Sequence, residues 1–119
     1  MLGNHIIWSF HVPGTLAANV AVRFAVPVDC RVTHISAVAG NDSDATMTFG
    51  VSTDTDSILA ATTIGDSGVP GVFDRADWAA ANETAELAKG DIAVLTVDYD
   101  GASGTAAVDL TVIITALEG

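Results

Sequence analysis

The sequence predicts an all-β fold: an antiparallel β-sandwich, jelly-roll-like, of seven to eight strands with one short helical excursion. Three observations carry this. Apolar residues recur with a period of two along most of the chain, the spacing that puts residues i, i+2 and i+4 on one face of a strand. β-Branched residues fill those runs, as a half-buried pleated surface prefers, and aromatic residues make up only 6% of the 119. Clusters of Gly, Asp, Asn and Ser separate the runs, and these residues favour turns by taking positive φ or bonding their own backbone. The length suits one domain over residues 1–119, with no repeat and no linker. An immunoglobulin-like sandwich is the alternative architecture, although its Cys…Trp…Cys pattern is absent.

The first run places Ile6, Trp8, Phe10 and Val12 on one face, with His5, Ile7, Ser9 and His11 on the other, and Pro13-Gly14 follows as a turn. Val20, Val22, Phe24, Val26 and Val28 form the second set, opposed by Ala21, Arg23 and Ala25. Arg31 to Ala39 is a less regular strand that runs into the turn Gly40-Asn41-Asp42-Ser43-Asp44. Ala45, Met47, Phe49 and Val51 follow, and Ser52 to Asp56 separates them from an irregular strand at Ser57 to Ile64. Gly65 to Gly71 reads as a loop. Asp74 to Asn82 reads as one or two helical turns, capped by Asp74, filled by Ala and ended by Asn82. A helix so short is marginal alone and needs Trp78 to pack on the sheet. Lys89-Gly90-Asp91 leads into Ile92–Tyr99, and a Gly-rich turn at 100–104 leads to the last strand, whose inward set runs from Ala106 to Ala116. Those last two strands are expected to pair as a hairpin.

Charge and composition exclude several roles. The formal net charge is −11, with a single Lys (Lys89) among four cations. Phosphate-backbone binding needs clustered Lys and Arg, so nucleic acid is not an expected partner. Half of the residues are hydrophobic, too many for a disordered acidic tail. No apolar run approaches the ~20 residues of a membrane-spanning helix, so no membrane partner is expected. The N-terminus has neither a basic region nor a long apolar core, so no secretory signal is expected. The single cysteine, Cys30, excludes an intrachain disulfide and reads as a buried small hydrophobe.

No set of residues spells out catalysis. His5 and His11 share a strand face but lie six residues apart, about 20 Å at strand rise. His34 lies mid-strand near Thr33 and Ser36 without a nucleophile-elbow pattern. A metal-dependent cupin needs converging His ligands, which this spacing does not supply. Asp42/Asp44, Asp54/Asp56 and Asp98/Asp100 have a D-x-D spacing, and the last pair with Ser103 comes nearest to an oxygen cage for Ca²⁺. The plainer reading is solvated turns in which each Asp bonds its own backbone. No cofactor and no metal ion is expected.

The aromatic residues do not form a free platform. Trp8 falls in the apolar set of its strand, Tyr99 ends a strand, and Trp78 either staples the helical excursion to the sheet or enters an interface. Apolar residues do occupy nominally outward positions on both terminal strands: Ile7 on the first, Ile113 and Leu117 on the last. Such positions read as a covered face, and the candidate interface is Ile7, His11, Trp78, Ile113 and Leu117.

Two stretches resemble small jelly-roll accessory proteins of tailed-phage virions, of the capsid decoration (cement) or head-fibre type. One is Val22-Arg23-Phe24-Ala25-Val26-Pro27-Val28-Asp29-Cys30-Arg31-Val32-Thr33-His34-Ile35, running into a Gly-Asn-Asp turn. The other runs from Glu86 through Lys89-Gly90-Asp91 to Val97, followed by the Gly-rich turn and a last strand. The resemblance implies a non-enzymatic, many-copy protein made in the host cytoplasm and located on the capsid surface. It would bind the major capsid protein and self-associate as a homotrimer. The competing expectation is a glycan- or receptor-binding module of a phage tail or surface structure.

Overall fold

The computed structural model describes residues 4–79 and 84–119. Among the described residues nine strands form, against the seven to eight expected: β1 (His5–Thr15), β2 (Val20–Ala25), β3 (Cys30–Val38), β4 (Thr46–Val51), β5 (Asp54–Thr63), β6 (Gly71–Phe73), β7 (Glu86–Leu87), β8 (Ile92–Asp98) and β9 (Val108–Glu118). Sheet I has the order β1-β9-β3-β6, with β7 also paired to β3, and sheet II has the order β2-β8-β4-β5. Every described strand pairing is antiparallel. The chain changes sheet at nearly every connection, which gives the expected jelly-roll winding.

The core lies between the sheets and follows the alternation. Ile35 pairs with Ile114 and Ala37 with Val112 in sheet I, while Met47 pairs with Val97 and Phe49 with Leu95 in sheet II. All eight side chains are buried. The irregularity of the 31–39 stretch is a register shift between Val32 and His34, which breaks the alternation at Thr33. A second shift, between Val12 and Thr15, absorbs Pro13-Gly14 into β1. Gly14 takes φ 79° there, so the expected turn is a bulge and the chain does not reverse.

Three further expectations change. β8 and β9 do not form a hairpin, because they lie in different sheets. The turn at Asp100 carries the chain across the sandwich, and each strand is flanked on both sides by others. The loop reading of 65–71 is also incomplete. Gly65 extends sheet I by bonding Ala37 O and Ala39 N, and Gly71–Phe73 then forms β6. Finally, the helical excursion shrinks to a 3₁₀ turn at Arg75–Asp77. Asp74 caps it as expected, with Asp77 completing a capping box. Trp78 then turns extended, at ψ 149°, and Ala79 donates to Ile58 O. Burial of the Trp78 ring outweighs the small gain from another helical turn. Residues 80–82 of the expected helix lie outside the described residues.

Gly50 controls the far side of sheet II. Between Val51↔Asp54 and Leu59↔Phe49 the register of β5 slips by several residues, and the extra chain folds over Gly50. A Cβ at Gly50 would lie 2.7 Å from Ser57 N and 2.7 Å from Thr55 C, both backbone atoms. The same fold-over explains Val94, which points outward by alternation yet is only 1% exposed.

Acidic loops gather at the ends of the sandwich. Asp44 accepts from Thr105 N, Asp98 from Asp100 N and Asp109 from Gly14 N, so these carboxylates satisfy turn amides. Asp42 and Asp66 instead face each other. Their mutual hydrogen bond, then desolvation and like charge, raise the Asp66 carboxyl above its usual range. Asp54 is raised in the same way by Asp56.

Two outcomes follow from this geometry. Gly50→Ala should lower stability by about 2–3 kcal/mol, because backbone must move, and the thermal midpoint by roughly 10 °C; an unchanged urea midpoint contradicts the fold-over. The raised Asp66 carboxyl favours the folded state below the carboxyl's unfolded pKa, and that advantage is lost as pH rises through its folded value. Asp66→Asn, which keeps a donor for Asp42, should therefore melt higher than the parent at pH 7. The difference should shrink as the solution is acidified. Equal melting temperatures at neutral pH contradict the pairing.

Candidate interaction surface

Cross-strand partners share one side of a sheet, so the register of sheet I defines its outer face row by row. One row joins Ser9, Ile113, Ser36 and Val72 across β1, β9, β3 and β6. The next joins Ile7, Thr115 and His34, and on the other side His11, Thr111 and Val38 lie together. The end row is His5, Leu117, Arg31 and Glu86. Its Arg31 and Glu86 are the only Arg, Lys, Asp or Glu residues in these four rows. Ile7 is 64% exposed, Val72 54% and Ile113 36%, so aliphatic side chains stand out across an otherwise hydroxyl- and imidazole-bearing surface.

Four of the five expected interface residues, Ile7, His11, Ile113 and Leu117, come together on this face. The fifth does not. Trp78 is 7% exposed and packs in the core, the stapling role. Its edge borders a hollow of about 280 Å³ lined also by Arg31, Thr33, Arg75, Thr84 and Glu86. Sequence reasoning missed Val72, His34, Ser36 and Val38 as members of the face. Val72 was hidden because three residues of β6 are too few to show a period, and the other three because the slip at Thr33 breaks the period of β3.

The three histidines all lie on this face, each in a different row, so the strand pleat holds them apart. His11 Nδ1 and Thr111 Oγ1 are 2.9 Å apart, a cross-strand contact on an open surface. Cys30 is buried, and its thiol is pushed above its usual range, chiefly by burial and then by Asp29 and Glu118. Such a thiol stays protonated and is a poor nucleophile. The Asp98–Asp100 turn closes on itself: Asp98 Oδ1 takes the Asp100 amide, and Asp100 Oδ1 takes the Ser103 hydroxyl at 2.6 Å. Among the described residues, no group of three or more His, Cys, Asp or Glu is placed to hold a metal ion. Nor is any helix among them long and apolar enough to cross a membrane.

No family model matches the sequence, and no curated protein matches it. The fold does have a counterpart among solved structures. A chain of the "Cyanophage Pam1 capsid asymmetric unit" superimposes with a TM-score of 0.59 and 14% identity, covering 99% of this chain and 87% of that one. At that identity the likeness is one of fold, and it extends over essentially the whole sandwich.

Proposed function

We propose that this chain is a non-enzymatic structural protein of a phage virion, which sits on the capsid surface and stabilises it through protein–protein contacts. The observation that carries the reading is the whole-chain fold likeness to a chain of a phage capsid asymmetric unit. The outer face of sheet I supplies the docking chemistry. It presents Ile7, Ile113 and Val72 among Ser, Thr and His, on a molecule with net charge −11. Uncharged surface with protruding aliphatics is what a partner can desolvate at small electrostatic cost. The acidic remainder keeps free copies soluble and away from packaged nucleic acid. In this reading the protein acts as a symmetric trimer, and its partner is the major capsid protein.

The reading is tested by cosedimentation of the purified chain with shells assembled from the major capsid protein of the same genome. Binding should saturate, and bound protein should raise the temperature at which the shells rupture. Ile7→Asp with Ile113→Asp places charge on the face, at its β1 margin and on β9, without touching the core. This double substitution should weaken shell binding by about tenfold or more, equivalent to about 1.4 kcal/mol. Absence of binding to shells overturns the proposal. Specific retention on a glycan array, lost on Arg75→Ala in the hollow beside Trp78, supports the competing glycan-binding role instead.

A further inference from the structure

The two long sides of the sandwich are not alike. On one side the edge strands are β5 and β6, and their apolar residues Ile58, Leu59 and Phe73 are buried. On the other side the edge strands are β1 and β2. These face each other across the sandwich, since the rings of Trp8 and Phe24 are 4.8 Å apart and those of Phe10 and Phe24 are 5.7 Å apart. Here the inward residues are only partly buried: Ile6, Trp8, Phe10 and Val12 on β1, and Val20, Val22 and Phe24 on β2. Their neighbours one strand further in, such as Val112, Ile114 and Leu95, are sealed. The sandwich is therefore closed along one side and open along the other, with an apolar seam between two strand edges.

Charge divides the molecule in the same way. Residues 1–28 contain no Asp or Glu, so all fifteen carboxylates lie in the remainder. Asp54 and Asp56 lie on β5, and Asp74 and Asp77 follow β6, so the closed side is acidic. Along β1 and β2 the basic side chains are His5, His11 and Arg23. Carboxylates reach this side at its ends, where Asp109 takes the Gly14 amide and Glu118 takes the Asn4 side chain. Copies of a chain with charge −11 repel each other in most orientations, and the orientation with the least repulsion brings their β1–β2 sides together. That same orientation covers the seam and the unpaired backbone of the 11-residue strand β1.

We propose that copies of this chain pack their β1–β2 sides against one another around a symmetry axis, closing the seam between β1 and β2. The inference rests on the self-association in the proposed function and is independent of docking to a shell.

The test is the mass of the full chain by size-exclusion chromatography with light scattering across micromolar concentrations, with hydrogen exchange at the β1 amides. A discrete closed oligomer is expected, a trimer on the proposed function, with β1 amides that gain protection as concentration rises. Ser9→Asp and Ala21→Asp each place a carboxylate at an exposed position flanking the seam. Each should raise the dissociation constant by about tenfold or more, with circular dichroism unchanged. Assembly should return in part at about 1 M salt, where screening acts within about 3 Å. Ala60→Asp, on the closed side, should leave the mass unchanged. A strict monomer at all these concentrations overturns the inference, as does an oligomer broken by Ala60→Asp and indifferent to the other two. A monomer that still cosediments with shells overturns this inference and the trimer, and leaves the shell-docking function standing. An oligomer with no shell affinity overturns the shell-docking function and leaves this inference standing.

Discussion

The ring of Phe24 lies 4.8 Å from Trp8, 5.7 Å from Phe10 and 6.4 Å from Phe49. Those three contacts tie β1 of sheet I to β2 and β4 of sheet II. They matter because β1 and β2 each have a hydrogen-bonded neighbour on one side only. Elsewhere the sheets are held by a sealed interior that is mostly aliphatic, joined by Phe73 and Trp78. Along the open side, tilted and stacked rings do that work, and aromatic pairs in such arrangements contribute about 0.5–1.5 kcal/mol beyond their buried area. The aromatic residues are few, and three of them line this one seam with Phe49 behind them. The sandwich thus holds its two edge strands in place without closing over them.

The distribution of polar groups follows from the same winding. In a jelly roll nearly every connection crosses between sheets, so turns collect at the two ends of the sandwich. Turns need acceptors for unpaired amides, and Asp supplies them: Asp44 for Thr105, Asp109 for Gly14, Asp29 for Lys89, Asp91 for Ala88. Much of the acidity of this chain is thereby explained as turn chemistry. The outer face of sheet I, lying between the ends, is left almost without formal charge. A face that is neutral because the carboxylates are needed elsewhere is suited to contact, and its flat pleat keeps His5, His11 and His34 from converging.

Much of this was legible in the sequence, for a specific reason. Period-two alternation needs about five residues to declare itself, and β1, β2, β4 and β9 have them. That alternation fixed which residues face inward and which outward, and so brought Ile7, His11, Ile113 and Leu117 to one surface. It carries no information about which strand lies beside which. The Asp100–Thr105 stretch has the residues of a hairpin turn, yet it spans the sandwich, because β8 is already flanked by β2 and β4, and β9 by β1 and β3. Short elements were the other blind spot. β6 and β7 have three and two residues, and both exist because β3 is long enough to recruit them. The sequence leaves Trp78 as either staple or interface, and its burial in the core makes it the staple.

An open strand edge is a hazard for a soluble protein, because backbone pairing along it has no natural end. Unlimited growth requires that each added copy leave a fresh edge exposed. In this chain edge strands bound both sides, but the β5–β6 side buries Ile58, Leu59 and Phe73 and carries Asp54, Asp56, Asp74 and Asp77, whereas the inward residues of the β1–β2 side stay partly exposed. Copies that meet through the open side present closed, acidic sides outward, and further copies are repelled there. The sandwich ends are acidic as well, which disfavours stacking end on end. One open side and one closed side therefore favour small, closed assemblies, the kind that point-group symmetry permits. The same asymmetry leaves β9, β3 and β6 of the outer face of sheet I for a different partner, so self-association and docking share only the β1 margin.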